Sequence, residues 1–281
     1  MNLILEIFYF ILLTLIIVAI SKYVLVSLLR KLAETLNLKP KSVGIIAGAA
    51  TSIPELLTVC FSAISGFMTT SITNILSSNI INTVLYAFSV IFNKNGYMLK
   101  NRALKIDLIL VFFTILIPTT LVIFNVDFNI GIVPIFILLF ILFYYINGNA
   151  HKLYLQHEEK AIYEKIEEEE RWLRGKHKRM FFYIASLAAT GILLFFVGNS
   201  LSNVLETLCL EFNLPEWLIG IALGVTTSIP EMITFFESQK HYKKKESNEG
   251  VIEATNNLLS SNMLNLFIIQ SIGIIIFTLL F

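Results

Sequence analysis

Hydrophobic positions along this chain run together in long blocks, separated by short polar connections. Eight blocks are near or beyond the ~20 apolar residues that a helix needs to cross the hydrocarbon of a bilayer. They cover 3–29, 43–66, 69–92, 104–125, 129–147, 180–205, 217–238 and 252–281. The pattern predicts an all-α polytopic membrane protein with about eight transmembrane helices. The first block has no basic start and no small-residue cleavage site, so it reads as a permanent span rather than a removable leader.

Composition narrows the class. Of 281 residues, 56% are hydrophobic and 15% charged, with a mean hydropathy of +0.76. That is too little charge to cover a soluble domain of this length, and it makes the lipid bilayer the surrounding phase. A formal net charge of +1 gives no basic bias for a nucleic-acid partner. Cys60 and Cys209 have no metal-ligand spacing and imply neither zinc nor a disulfide framework.

The placement of charge predicts the topology. With the N-terminus outside, all 21 basic residues fall at inner connections. Lys22, Arg30, Lys31, Lys39 and Lys41 flank the first, and Lys94, Lys100, Arg102 and Lys105 the second. The third runs from Lys152 to Arg179 and the fourth from Lys240 to Lys245, while the connections near residues 67, 127 and 211 carry none. By the positive-inside rule this is a multi-pass protein of the cell membrane, with the charged 148–179 loop cytoplasmic. Within that loop "HEEKAIYEKIEEEERWLRGKHKR" has opposite charges at i, i+4 and predicts a solvated helix.

Polar residues interrupt the apolar blocks in a repeated way. "TSIPE" stands at Thr51–Glu55 in the second span and again at Thr227–Glu231 in the seventh. Each is followed by a second echo, "TNILSSNIIN" (Thr73–Asn82) in the third span and "NNLLSSNMLN" (Asn256–Asn265) in the eighth. The echoes are offset by 176 and 183 residues, a difference that the inner segment "HYKKKES" absorbs. In the topology above the second span runs outward and the seventh inward. The chain is therefore expected to hold two inverted repeats: 1–147 with five spans and 180–281 with three, joined by the 148–179 loop. Inverted repeats of this kind place a shared transport site near the midplane.

The motif residues suit a cation. Proline has no N–H to give, so Pro54 and Pro230 leave the carbonyls of Ala50 and Thr226 without their helical partners. Thr51 and Ser52 can lie near Glu55, and Asn74, Ser78 and Asn82 form an i, i+4, i+8 stripe that Asn257, Ser261 and Asn265 repeat. Every group offers oxygen, the ligand set of hard cations such as Ca²⁺ and Na⁺. Two carboxylates would balance one Ca²⁺. Taken singly, a proline reads as a kink and an asparagine as interhelical glue. A mid-span glutamate reads as functional, because a charge there costs at least ~2.5 kcal/mol. Asp107 and Glu6, near span ends, read as solvated, and Pro118 and Pro134 as kinks.

At these residues the chain resembles the sodium/calcium exchanger family, part of the wider cation/Ca²⁺ antiporter superfamily. Its repeats read approximately "G-T-S-x-P-E" and "G-N-x-x-G-S-N-x-x-N/D". The resemblance implies alternating access between Ca²⁺ and Na⁺, with the first and sixth helices sliding across the core, no cofactor and no enzymatic activity. It also implies a metal-ligand set of Thr51, Ser52, Glu55, Ser78 and Asn82 with Thr227, Ser228, Glu231, Ser261 and Asn265. There are departures. The motif glycines are here Ala50 and Thr226, Thr73 and Asn256, and Ser77 and Ser260, so helix packing is expected to differ. Asn82 and Asn265 are both neutral where some members carry aspartate. The family usually has ten spans, so either a second copy or a partner covers the face left by the pair matching the fourth and fifth, or the family architecture is truncated here. H⁺-coupled antiport and a gated cation channel stay open as alternatives to Na⁺-coupled exchange.

Overall fold

The structure, a computed structural model, describes residues 3–25, 27–29, 31–32, 40–100, 102–124, 126–158, 177–212, 215–244 and 249–281. Among them every regular element is helical. Helix α1 is Leu3–Ile20, running on through a π-helical turn, Ser21–Leu25. Then come α2 (Pro40–Thr51), α3 (Ile53–Ile64), α4 (Met68–Phe92), α5 (Arg102–Ile123) and α6 (Val133–Glu158). The remainder are α7 (His177–Phe212), α8 (Glu216–Thr227), α9 (Ile229–Lys244), α10 (Glu249–Met263) and α11 (Gln270–Leu280). A π-helical turn, Leu264–Ile269, joins the last two. Eight stretches among the described residues are long and apolar enough to cross a membrane, and each overlaps one of the blocks predicted from hydropathy.

Two of the eight are broken. The second span is α2 followed by α3, interrupted at Ser52, and the seventh is α8 followed by α9, interrupted at Ser228. The cause is local: each proline sits in the first turn of the following half-helix, where its missing N–H costs nothing. Glu55 and Glu231 fall in those same first turns, facing the partial positive charge of a helix N-terminus.

The half-helices are the centre of the packing. The most extensive helix contacts are α2 against α10 and α8 against α4, so the spans before and after the charged loop interlock. Glycines permit this. A Cβ on Gly48 would stand 2.6 Å from the Asn257 carbonyl and 2.8 Å from Ser260 Cβ, and one on Gly224 would overlap Ser77 Oγ. Gly44 and Gly220 meet Asn256 and Thr73 in the same way. Residues 73, 77, 256 and 260, where the family pattern has glycine, are here met by glycines of the facing half-helix.

Around this core, α1 and α7 pair through Leu13, Ile17, Leu194 and Leu201, and α7 rests on α3 and α8. Helices α5 and α6 lie on the other flank against α10 and the π turn, with Phe136 and Phe143 packed on Phe267. The second and third spans are joined by a tight turn in which Gly66 takes φ +86° and Phe67 N donates to Ser62 O at 2.8 Å, a left-handed helix cap that only glycine adopts without strain.

Two readings of single residues change. Asp107 is fully buried rather than solvated, because Asn147 Nδ2 donates to it at 2.7 Å and Lys41 closes over them, donating to the Asn147 carbonyl at 3.4 Å. Pro134 starts α6 instead of kinking it, and Pro118 alone is interior to its helix. Most of the 148–179 loop, residues 159–176, lies outside the described residues; α6 runs into its start as far as Glu158.

Candidate cation site

All ten residues predicted as ligands are buried, none more than 2% exposed. Two hydrogen-bonded chains cross between them. Ser78 Oγ donates to Glu55 Oε1 at 2.9 Å and meets Ser228 Oγ at 3.1 Å. Ser261 Oγ donates to Glu231 Oε1 at 3.0 Å and meets Ser52 Oγ at 2.9 Å. Each glutamate is thus tied to the serine of its own following span, and that serine to the broken helix of the other half. Thr227 lies beside Glu55 and Thr51 beside Glu231. Thr51 also donates back to the Ala47 carbonyl at 2.9 Å, which holds it at the break.

What remains after these bonds is a set of oxygens. Glu55 Oε2, Asn74 Oδ1, Asn82 Oδ1, Thr227 Oγ1, Glu231 Oε2, Asn257 Oδ1 and Asn265 Oδ1 are buried without a hydrogen-bond partner. Each such group costs about 1–3 kcal/mol when desolvated alone. Unpartnered oxygens of this kind suit a cation, which carries no hydrogen-bond acceptor of its own. No group of three or more His, Cys, Asp or Glu occurs among the described residues, and Glu55 and Glu231 are the acidic members of the predicted set. The set fits an oxygen-seeking ion and gives nothing to a soft one.

Residues outside the predicted set complete the arrangement. Asn74 Nδ2 donates to Thr58 Oγ1 at 2.7 Å, and Asn257 Nδ2 to Thr234 Oγ1 at 2.6 Å. Each amide therefore turns its oxygen the other way. The signal was in the sequence: both motifs extend three residues further, as "TSIPELLT" and "TSIPEMIT". Asn79 and Asn262, inside "SSN", also enter, bonding the third span to the eighth.

Residues 5–148 match the family model described as sodium/calcium exchanger protein. No curated protein matches the chain. Among solved structures, those of the sodium-calcium exchanger NCX_Mj are similar. One, soaked with 100 mM Na⁺ and 10 mM Sr²⁺, has a TM-score of 0.61 at 19% identity, covering 98% of this chain and 83% of that one. Another, soaked with 10 mM Na⁺ and zero Ca²⁺, has a TM-score of 0.59 at 20% identity, covering 98% and 84%. At these identities the likeness is one of fold.

Proposed function

Because this chain belongs to the sodium/calcium exchanger protein family, we propose that it exchanges Ca²⁺ for Na⁺ across the membrane by alternating access at one midplane site. The observation that carries this reading is the crossing pair of buried glutamates, each with an unpartnered oxygen, together with five further unpartnered oxygens on the motif helices. Glu55 and Glu231 offset the ion's charge. Thr51, Ser52, Ser78 and Asn82, with Thr227, Ser228, Ser261 and Asn265, supply neutral oxygen ligands. With two carboxylates the site holds one divalent ion or two monovalent ions at neutrality, which makes the two cargoes compete.

The 1–147 and 180–281 parts act as inverted repeats, with the N-terminus outside and the 148–179 loop cytoplasmic; the partition of basic residues supports this orientation. The α1–α7 pair is the moving element. It is the least embedded part of the core, with 12% and 22% of its span windows buried against 56% and 67% for the broken second and seventh spans.

The test is Ca²⁺ uptake into proteoliposomes under an outward Na⁺ gradient. Uptake that requires the gradient supports exchange. Uptake driven by a pH gradient without Na⁺ would move the coupling ion to H⁺. Unitary currents without countertransport would replace the antiporter with a channel.

A further inference from the structure

Asn82 and Asn265 each offer a buried oxygen with no partner, and the chemistry that turns them lies on two other asparagines. Asn79 Nδ2 donates to the Asn262 carbonyl at 3.2 Å, and Asn262 Nδ2 donates to the Asn79 carbonyl at 3.2 Å. A backbone carbonyl can only accept, so these bonds fix which end of each amide faces it. The Oδ1 atoms must then point the other way. There Asn79 Oδ1 accepts from Asn265 Nδ2 at 3.2 Å, and Asn262 Oδ1 accepts from Asn82 Nδ2 at 3.5 Å. With their Nδ2 groups held, Asn265 and Asn82 have only oxygen left to present. All four side chains are fully buried.

A fifth residue bears on the clasp. Pro118 lies inside α5 and denies the Thr114 carbonyl its helical partner four residues on. Asn79 Nδ2 donates to that carbonyl, at 3.5 Å. The proline therefore gives Asn79 a second acceptor and reinforces its orientation.

We propose that Asn79 and Asn262 are positioning residues of the cation site, holding Asn265 and Asn82 so that each presents a neutral amide oxygen to the ion. This rests on the exchanger reading above, and it explains why asparagine stands at 82 and 265. An ionised carboxylate in either place would face the acceptor Oδ1 of its partner.

The test is a double-mutant cycle read by the Ca²⁺ concentration that half-saturates the thermal stabilisation of the detergent-solubilised full chain. Asn262→Ala and Asn82→Ala should each raise that concentration about tenfold, as loss of one oriented ligand does. Combined, they should lose no more than Asn82→Ala alone, because Asn262 acts through Asn82. Paired with Asn265→Ala instead, the Asn262→Ala loss should multiply. The mirror pattern should hold for Asn79, which couples to Asn265 and not to Asn82. Losses that multiply in every pairing, or an unchanged Ca²⁺ requirement in Asn262→Ala, would overturn the proposal. If Asn262→Ala fails to fold, the mirror pair decides: Asn79→Ala should raise the Ca²⁺ requirement about tenfold alone and no further when joined to Asn265→Ala; losses that multiply in that pair would overturn it. A parent that Ca²⁺ stabilises but that moves no Ca²⁺ would sink the exchanger reading alone. A parent stabilised by neither Ca²⁺ nor Na⁺ would sink both.

Discussion

Asn82 and Asn265 hold equivalent places in the two polar stripes, but the helices carrying them differ. Asn82 lies in the uninterrupted α4, and Val84, two residues on, is 61% exposed. Asn265 lies in the π turn, where its own carbonyl accepts from Gln270 N, and Phe267 two residues on is fully buried between Phe136 and Phe143, with ring centroids at 5.9 and 5.2 Å. Inside the site the serine-to-glutamate and asparagine-to-threonine bonds nonetheless repeat in both halves, while Thr51 bonds the Ala47 carbonyl and Thr227 Oγ1 has no partner. Identical side chains at identical helical spacings reproduce the same contacts whatever backs the helix. The backing follows from residues outside the motif, which the two halves do not share. The fourth and fifth spans both pack on the eighth, the fifth at its π turn, whereas the third span meets the fourth and turns Val84 outward.

The comparison breaks first if the halves are not equivalent at the ion. Glu55→Gln and Glu231→Gln should each lower Ca²⁺ flux by on the order of 100-fold or more, since each strips one buried charge from a matched pair. Proteoliposome uptake with the variants confirmed in the bilayer checks this. A large loss in one and parent-like flux in the other would make one half the site and the second a relic. Next comes the difference behind the site. Phe267→Ala should destabilise the protein by about 3–5 kcal/mol, and its counterpart Val84→Ala by under about 1 kcal/mol. Reversible unfolding in mixed micelles measures both, and equal effects would remove the bracing role of α5 and α6.

Smaller effects sharpen the picture. Gly48→Ala and Gly224→Ala should cost about 1–3 kcal/mol each by overpacking. Gly48→Ala should cost the more, because its Cβ would strike the Asn257 backbone, whereas the nearest atom to Gly224 is a serine hydroxyl that can rotate. Smallest of all, Thr58→Val and Thr234→Val should each raise the half-saturating Ca²⁺ concentration by about threefold to tenfold, by releasing Asn74 or Asn257. Ca²⁺ titrations of thermal stability would show the two equal, or refute the mirrored positioning of those amides.

Much of this was legible in the amino-acid sequence. The apolar blocks give the eight spans because bilayer crossing depends on length and hydropathy, which a single chain displays. Glu55 and Glu231 stand out because a mid-span carboxylate is costly and the motif occurs twice. Other features depend on partners far along the chain. Nothing local to Asp107 shows that Asn147 and Lys41 will enclose it. The facing of Gly48 to Ser260 and Gly224 to Ser77 likewise exists only once α2 meets α10 and α8 meets α4. The π turn at Asn265 has no marker, since "SSNIIN" and "SSNMLN" differ only by apolar residues. Thr58 and Thr234 were visible in the repeat, three residues past its apparent end.

The central claim is that both halves build one shared site. Equilibrium binding of radioactive Ca²⁺ to the purified full chain tests it most directly. The account predicts one Ca²⁺ per chain, displaced by Na⁺, and lost in Glu55→Gln and in Glu231→Gln alike. Two Ca²⁺ per chain in the parent, or one retained in either variant with undiminished affinity, would contradict it.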